Sequence, residues 1–425
     1  MNQKSVTIHP EYKKKNEALR AEPASLWIRD GLLKILSKAT SGYLVIRERG
    51  EVIARFGDSS DTLRAEINVV DTRTYRRALL GGNAAAGEAY VDGWWTSPDI
   101  TQVTRFFSRN LHMMDAWGDR FGWVLKPLSW LRAVKRANSK TQAKRNILAH
   151  YDLGNSLYRT FLDPNMQYSS AIYRSEEDSL EQAQINKMQR ICEKLQLSEQ
   201  DHLVEIGTGW GGLAIYAAQN FGCRVTTTTI SDEQYQQCQA RIRAAGLENK
   251  IALLAKDYRE LEGQFDKLVS VEMIEAVGRQ YLPGYFAKID ELLKPGGLAM
   301  IQAITIADQR FDVYRRTEDF IQKHIFPGGF LPSLHLMSEL LANKTELIIR
   351  DVHDMGLDYA KTLKDWRENF MANIGDLEKM GYGSQFQRLW EYYLGYCEGG
   401  FLERRISAVQ LLTSKMPHYT YPDHS

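Results

Sequence analysis

The stretch LVEIGTGWGG, residues 203–212, constrains this chain more than any other. A short apolar run passes directly into closely spaced glycines, so it reads as a strand over 202–206, a turn, and a helix over 213–221. Such a unit belongs to an open α/β sheet, whose ligands gather at the C-terminal edge of the strands. The neighbouring segments keep the alternation. Helices are predicted over 179–195 and 232–245, the second with Ser231 as N-cap, and strands over 223–229, 250–255, 265–271 and 298–304. Repeats of this length predict a doubly wound α/β domain with a parallel sheet covered on both faces.

The 425 residues leave room for more than that one domain. Upstream, residues 42–55 read as two short strands around a turn at Arg49 and Gly50, and 72–80 as a helix ending at Gly81 and Gly82. This predicts a small N-terminal α+β domain over 1–120 without polar catalytic chemistry, an accessory unit for packing, docking or lipid contact. Residues 121–150 then form a basic linker and 151–425 the catalytic domain, with helical insertions near the C-terminus. With 54 Lys and Arg against 53 Asp and Glu, a nucleic-acid partner is not expected. The balance is local all the same. From 121 to 151 there is no acidic residue, while Lys126, Arg132, Lys135, Arg136, Lys140, Lys144 and Arg145 stand beside Trp123 and Trp130. That composition suits either a solvated connector or a segment resting on anionic lipid headgroups. No apolar run reaches the ~18 residues of a membrane span. Four cysteines without CxxC pairing point to a reducing cytoplasm, and no metal ligand set is assigned.

Gly207 and Gly209 let a cofactor lie against the backbone, and Glu205 stands two residues before them. A dinucleotide is disfavoured by that carboxylate and by the lack of a nearby phosphate-binding Lys or Arg. An acid in this place suits a cofactor with a cationic amino-acid end, such as S-adenosylmethionine. The next strand ends in Thr229 and Ile230 with no acid for ribose hydroxyls, and Asp257 after the third strand suits the adenine.

Around this loop, HYDLGNSLYRTFLDPNMQYSSAIY (150–173), TTISDEQ, DYREL, LVSVEMIEAVG, LKPGGL, HIFPGGFLPS and GLDYAKTL appear in order. Over roughly 140–415 they resemble the cyclopropane-fatty-acid synthases, of which the mycolic-acid methyltransferases share the catalytic fold. The resemblance implies a class I S-adenosylmethionine-dependent methyltransferase, Rossmann-like in its sheet. It would act on unsaturated acyl chains of membrane phospholipid, peripheral on the inner face of the cytoplasmic membrane, and family members are often homodimers. It assigns the cofactor to Tyr168, Ser169, Gly207, Gly209, Thr229, Ile230, Gln234 and Tyr258, with Glu205 and Asp257 beside them.

The family reaction makes a cation on the chain, so water must be kept out. Phe326, Phe330, Phe370 and Tyr359 are candidate walls, although single aromatics serve equally well in a plain core. The resemblance further implies a bound bicarbonate as base, held by a Cys, a Glu, a His and a Tyr. Glu275 and Tyr359 stand at two of these positions. Ser170 replaces the Cys, Gln302 the His, and Ala276 a further His. Ser170 hydroxyl and Gln302 amide still donate hydrogen bonds, so the anion survives with altered partners in one reading. In the other it is absent, Glu275 is the base, and the product is methyl-branched or a furan-fatty-acid precursor rather than a ring. Glu272 reads as a supporting carboxylate or a cap of the strand end. Two other classes remain: a small-molecule methyltransferase, which needs a polar pocket, and an inactive lipid-binding protein, supported only by positions 170, 276 and 302.

Overall fold

The computed structural model describes residues 23–112 and 154–417. The basic linker predicted over 121–150 lies outside the described residues.

The N-terminal unit begins with helix α1 (Pro23–Leu36) and continues as a hairpin of β1 (Tyr43–Glu48) and β2 (Glu51–Gly57). Strand β3 (Arg64–Val69) runs parallel to β1, and β4 (Trp95–Thr96) pairs antiparallel with β3, giving the order β2-β1-β3-β4. The intervening α2 (Arg73–Val91) is two helical stretches joined at a kink, and the first ends at Gly81 and Gly82 as expected. Gly82 takes φ 61° and ψ −150°, and the helix resumes beyond this kink. The second stretch packs tightly on the larger unit. At Gly87 a Cβ would lie 2.5 Å from Phe320 and 2.6 Å from Tyr392, so this half of α2 packs closer to the C-terminal region than any side chain would allow. Helix α3 (Ile100–Arg109) starts where the Asp99 carboxylate accepts from the Thr101 and Gln102 amides.

The larger unit has helix α4 (Leu180–Lys194), β5 (His202–Ile206), α5 (Gly212–Asn220), β6 (Arg224–Thr228), α6 (Asp232–Ala244), β7 (Ile251–Leu254), β8 (Phe265–Val271), α7 (Leu282–Leu292) and β9 (Leu293–Ile306). Ser179 and Ser231 cap α4 and α6, each accepting from the amide three residues on. The chain then adds β10 (Leu347–Asp354), α8 (Gly356–Ala372), α9 (Ser384–Leu402) and β11 (Ile406–Lys415). The sheet order is β10-β11-β9-β8-β5-β6-β7. Strands β5 to β9 are mutually parallel, but β11 runs antiparallel to β9 and to β10, so the sheet is mixed rather than wholly parallel. Because β6 and β8 flank β5 on opposite sides, the strand order reverses at β5, and a crevice opens beyond its C-terminal end.

Helix α9 packs on α2 and α3 of the N-terminal unit and on α8, and both α8 and α9 touch β11. Leu44, Val69 and Phe106 of the N-terminal unit share one core with Tyr158, Trp366 and Trp390. Around it, Arg105 and Arg109 both pair with Glu403, at 2.8 and 2.9 Å, while Thr101 and Arg367 hold the buried Glu398.

Candidate functional site

The crevice at β5 holds a polar cleft of about 180 Å³. Every residue assigned to the cofactor lines it: Tyr168, Ser169, Glu205, Gly207, Gly209, Thr229, Ile230, Gln234, Asp257 and Tyr258. Gly207 and Gly209 take φ 96° and 52°, and a Cβ added at Gly209 would meet no protein atom within 4 Å. The loop is pinned from outside the cleft. Trp210 donates to Asn155 at 2.6 Å, and Arg241 donates to the carbonyls of Trp210 and Asn165. Gly207, Gly209 and Gly212 keep G-x-G-x-x-G spacing, so Glu205 separates the cofactor classes and spacing does not.

Glu205 is buried and accepts from Thr227 at 2.6 Å. Burial pushes its carboxyl up to about 7, against the Thr227 hydrogen bond and the charge of Lys187. A cationic ligand group beside it would favour the ionised form. Lys187 is also fully buried and donates to Gln167 at 2.9 Å and Ser169 at 2.8 Å. Burial lowers it to about 8, with Glu272, Asp163 and Glu205 opposing. Thr229 donates to Gln234 at 2.9 Å, and Asp257 accepts from two nitrogens of Arg259, Nε and Nη2, at 2.8 and 2.6 Å. The cleft thus carries a preset polar surface with a glycine cradle that an added side chain would fill, and it fits S-adenosylmethionine.

A second cavity, about 870 Å³, lies between the N-terminal unit and the larger one. Its walls are mainly apolar, with Leu36, Ile46 and Ile67 from one side and Phe326, Phe330 and Leu363 from the other. Tyr359 stacks on Phe401 at 4.5 Å within this wall. Phe370 does not join it; its ring is wholly buried against Phe161 in the core, which corrects its place among the candidate walls. Tyr168, Glu272 and Ala276 line both cavities, so the polar cleft and the apolar cavity meet there.

At that junction the expected catalytic residues converge, but on an unexpected centre. Glu272, just past β8, has a left-handed backbone with φ 49° and a buried carboxylate. Its Oε1 accepts from the Ser170 amide at 2.8 Å and the Gln302 side chain at 2.9 Å, and its Oε2 accepts from Tyr359 at 2.6 Å. The Ser170 hydroxyl donates instead to the Ala171 carbonyl. Gln302 is oriented by Gln410, which donates to its carbonyl oxygen at 3.1 Å. Burial raises Glu272, while Tyr359, Ser170 and Gln302 pull it down. Glu275 has one oxygen on the Ile304 amide at 2.5 Å and the other without a hydrogen-bond partner among the described residues. Burial and the Glu272 charge raise it to about 8, which favours its neutral form. The hydroxyl, amide and backbone donors at this centre are already engaged by the chain's own carboxylates. The residues present therefore do not fit a bound bicarbonate, which corrects the reading in which the anion survives.

Sequence reasoning left Glu272 as a supporting carboxylate or a strand cap and missed Gln410, Lys187 and the N-terminal walls of the cavity. Two acids three apart in VEMIEAVG were the signal for Glu272. Gln410 has no local signal, because only the β9–β11 register sets it opposite Gln302.

The mycolic acid cyclopropane synthetase family matches residues 138–411. The chain is 38% identical over 343 residues to the tuberculostearic acid methyltransferase of Mycobacterium tuberculosis, covering 77% of each protein. It is 36% identical over 372 residues to the cyclopropane-fatty-acyl-phospholipid synthase of Escherichia coli, covering 87% of this chain and 93% of that protein. In structure it is similar to the mycolic acid cyclopropane synthase CmaA1 complexed with SAH and CTAB, with a TM-score of 0.57, 26% identity, and 64% of this chain and 98% of that one covered. Glycine loop, sheet order, polar cleft and these likenesses agree, and the chain belongs to the mycolic acid cyclopropane synthetase family of lipid-modifying, class I S-adenosylmethionine-dependent methyltransferases.

Proposed function

We propose that the protein transfers a one-carbon unit from S-adenosylmethionine to a double bond of an unsaturated fatty acyl chain in membrane phospholipid. The observation that carries this reading is the meeting of a polar cleft with a large apolar cavity at Tyr168, Glu272 and Ala276. A small polar substrate would leave the cavity of about 870 Å³ without purpose, whereas an acyl chain matches its apolar walls.

When bound, the cofactor supplies an electrophilic methyl group. The chain's own residues do the rest. Gly207 and Gly209 bring backbone against the ligand, Glu205 offers a carboxylate, and Thr229, Gln234, Asp257 and Tyr258 complete the cleft. Phe326, Phe330 and Tyr359 keep water from the double bond, since water would quench a cation formed there. The Tyr168 ring, 5.2 Å from Trp366 and joined to Tyr393 by a 3.0 Å hydrogen bond, places aromatic faces where positive charge develops.

A branched product is the second reading. It is favoured by Ala276 and Gln302 in place of the family histidines, and by the likeness to a tuberculostearic acid methyltransferase. No helix among the described residues is long and apolar enough to cross a membrane, so access to phospholipid would be from the surface. The acid-free stretch over 121–151 is the segment we assign to that contact.

The deciding experiment is mass spectrometry of membrane lipids from cells with and without the protein. One added CH2 on unsaturated chains is expected, and unchanged lipids alongside methylation of a polar small molecule would overturn the reading. Ozonolysis then separates the products: a ring resists it, whereas an alkene beside a branch is cleaved.

A further inference from the structure

We infer that Glu272 is the base of the reaction, a carboxylate built into the chain at the place where the family resemblance called for a borrowed anion. The inference rests on the methyltransferase reading above. Three independent elements supply its donors: the Ser170 amide, the Gln302 side chain on β9, and the Tyr359 hydroxyl on α8. A carboxylate offers about four acceptor positions, and these three bonds leave one lone pair on Oε2. Among the described residues Glu272 is also the one carboxylate that lines both cavities, whereas Glu275 lines the apolar cavity alone. Its left-handed backbone is a strained arrangement for a side chain of this size, of a kind that clusters at functional sites.

The electron count closes without any further reactant. The π pair of the acyl double bond forms the new carbon–carbon bond, the carbon–sulfur pair stays on sulfur, and the second alkene carbon becomes cationic. Glu272 then takes one proton on Oε2. If the proton comes from the added methyl, its C–H pair closes the ring. If it comes from the neighbouring chain carbon, the pair forms a new double bond beside the branch. The neutral carboxyl returns its proton to water before the next turnover. Gln410 acts through Gln302, as a positioning residue that turns the amide NH2 toward Glu272.

The test uses the purified full chain, unsaturated phospholipid vesicles and buffer freed of carbon dioxide. Wild-type turnover should change by less than about twofold when sodium bicarbonate is added. Glu272→Gln should lose about 10²–10⁴-fold in turnover, the usual contribution of a positioned base, with cofactor affinity by calorimetry nearly unchanged. Glu275→Gln should lose less than about tenfold. Glu272→Gly suits the left-handed backbone and vacates the donors, so formate or bicarbonate should restore part of its turnover. Bicarbonate-dependent wild-type turnover, or a Glu272→Gln enzyme as fast as wild type, overturns the inference. If Glu272→Gly fails to fold, the wild-type bicarbonate result decides by itself. Absence of both cofactor binding and lipid methylation in the wild type would instead sink the methyltransferase reading beneath it.

Discussion

The two cavities that meet at Glu272 are built in opposite ways. The polar cleft of about 180 Å³ draws its lining from short consecutive segments: residues 166–169, the loop after β5, the turn into α6, 256–259 after β7, and 271–277 at the end of β8. The apolar cavity of about 870 Å³ draws on α1, β1, β3, α2 and α3 on one side and on α8, α9 and residues 304–331 on the other. A cleft made from strand ends is set by local backbone geometry. A cavity made between two units is set by how they dock, and its shape follows from contacts that no single segment contains.

This contrast can be broken at either end. The largest effect is expected at the cleft, where Gly209→Val forces a β-branched side chain onto φ 52° at the loop turn. Cofactor affinity should fall at least ~100-fold, about 2.7 kcal/mol, by calorimetry. Retained affinity would mean the loop does not cradle the ligand. A smaller and more selective effect is expected on the cavity side. Ala78→Trp, on α2 in the cavity wall, should shorten the longest acyl chain accepted and leave cofactor affinity within about twofold. An unchanged chain-length profile would detach the N-terminal unit from substrate selection.

The smallest effect on chemistry, though not on stability, concerns the docking itself. Glu88 on α2 is contacted by Arg77 at 2.8 Å, His324 at 2.9 Å and Lys323, the last two from the larger unit. Burial pushes its carboxyl up, but the hydrogen bonds from His324, Arg77 and Lys323 outweigh this and hold it well below the usual range. A depressed carboxyl contributes stability above its unfolded pKa and loses it as the pH falls. The wild-type advantage over Glu88→Gln should thus be full above about pH 5 and shrink in acid. Near neutrality the variant should lose about 3 kcal/mol in denaturant unfolding. A pH-independent difference would show that the Glu88 charge does not hold the two units together.

Much of the cleft was legible in advance because its residues lie in segments with their own signatures. The strand over 202–206, the Ser231 cap and the strand over 265–271 were predicted from apolar runs and capping residues, and each is observed. The helix predicted to stop at Gly81 and Gly82 does stop there, at the non-helical Gly82, and a second stretch follows, packed at Gly87 against Phe320 and Tyr392. The resemblance places Tyr359 and Gln302 near the reacting centre, with either a bicarbonate ion or Glu275 alone as the base. Glu272 lay in plain sight in VEMIEAVG, and its role waited on groups 30 and 87 residues further along the chain.

By itself, the sequence determined the α/β alternation, the glycine loop, the helix caps and the family to which the chain belongs. Those depend on periodicity, backbone freedom and side-chain capping over a few residues, which are present before anything packs. Only the tertiary structure decided that the N-terminal unit walls the apolar cavity, that β11 sets Gln410 opposite Gln302, and that three distant donors close on Glu272. Buried polar groups must find partners somewhere, and which ones they find is settled by the docking of whole elements.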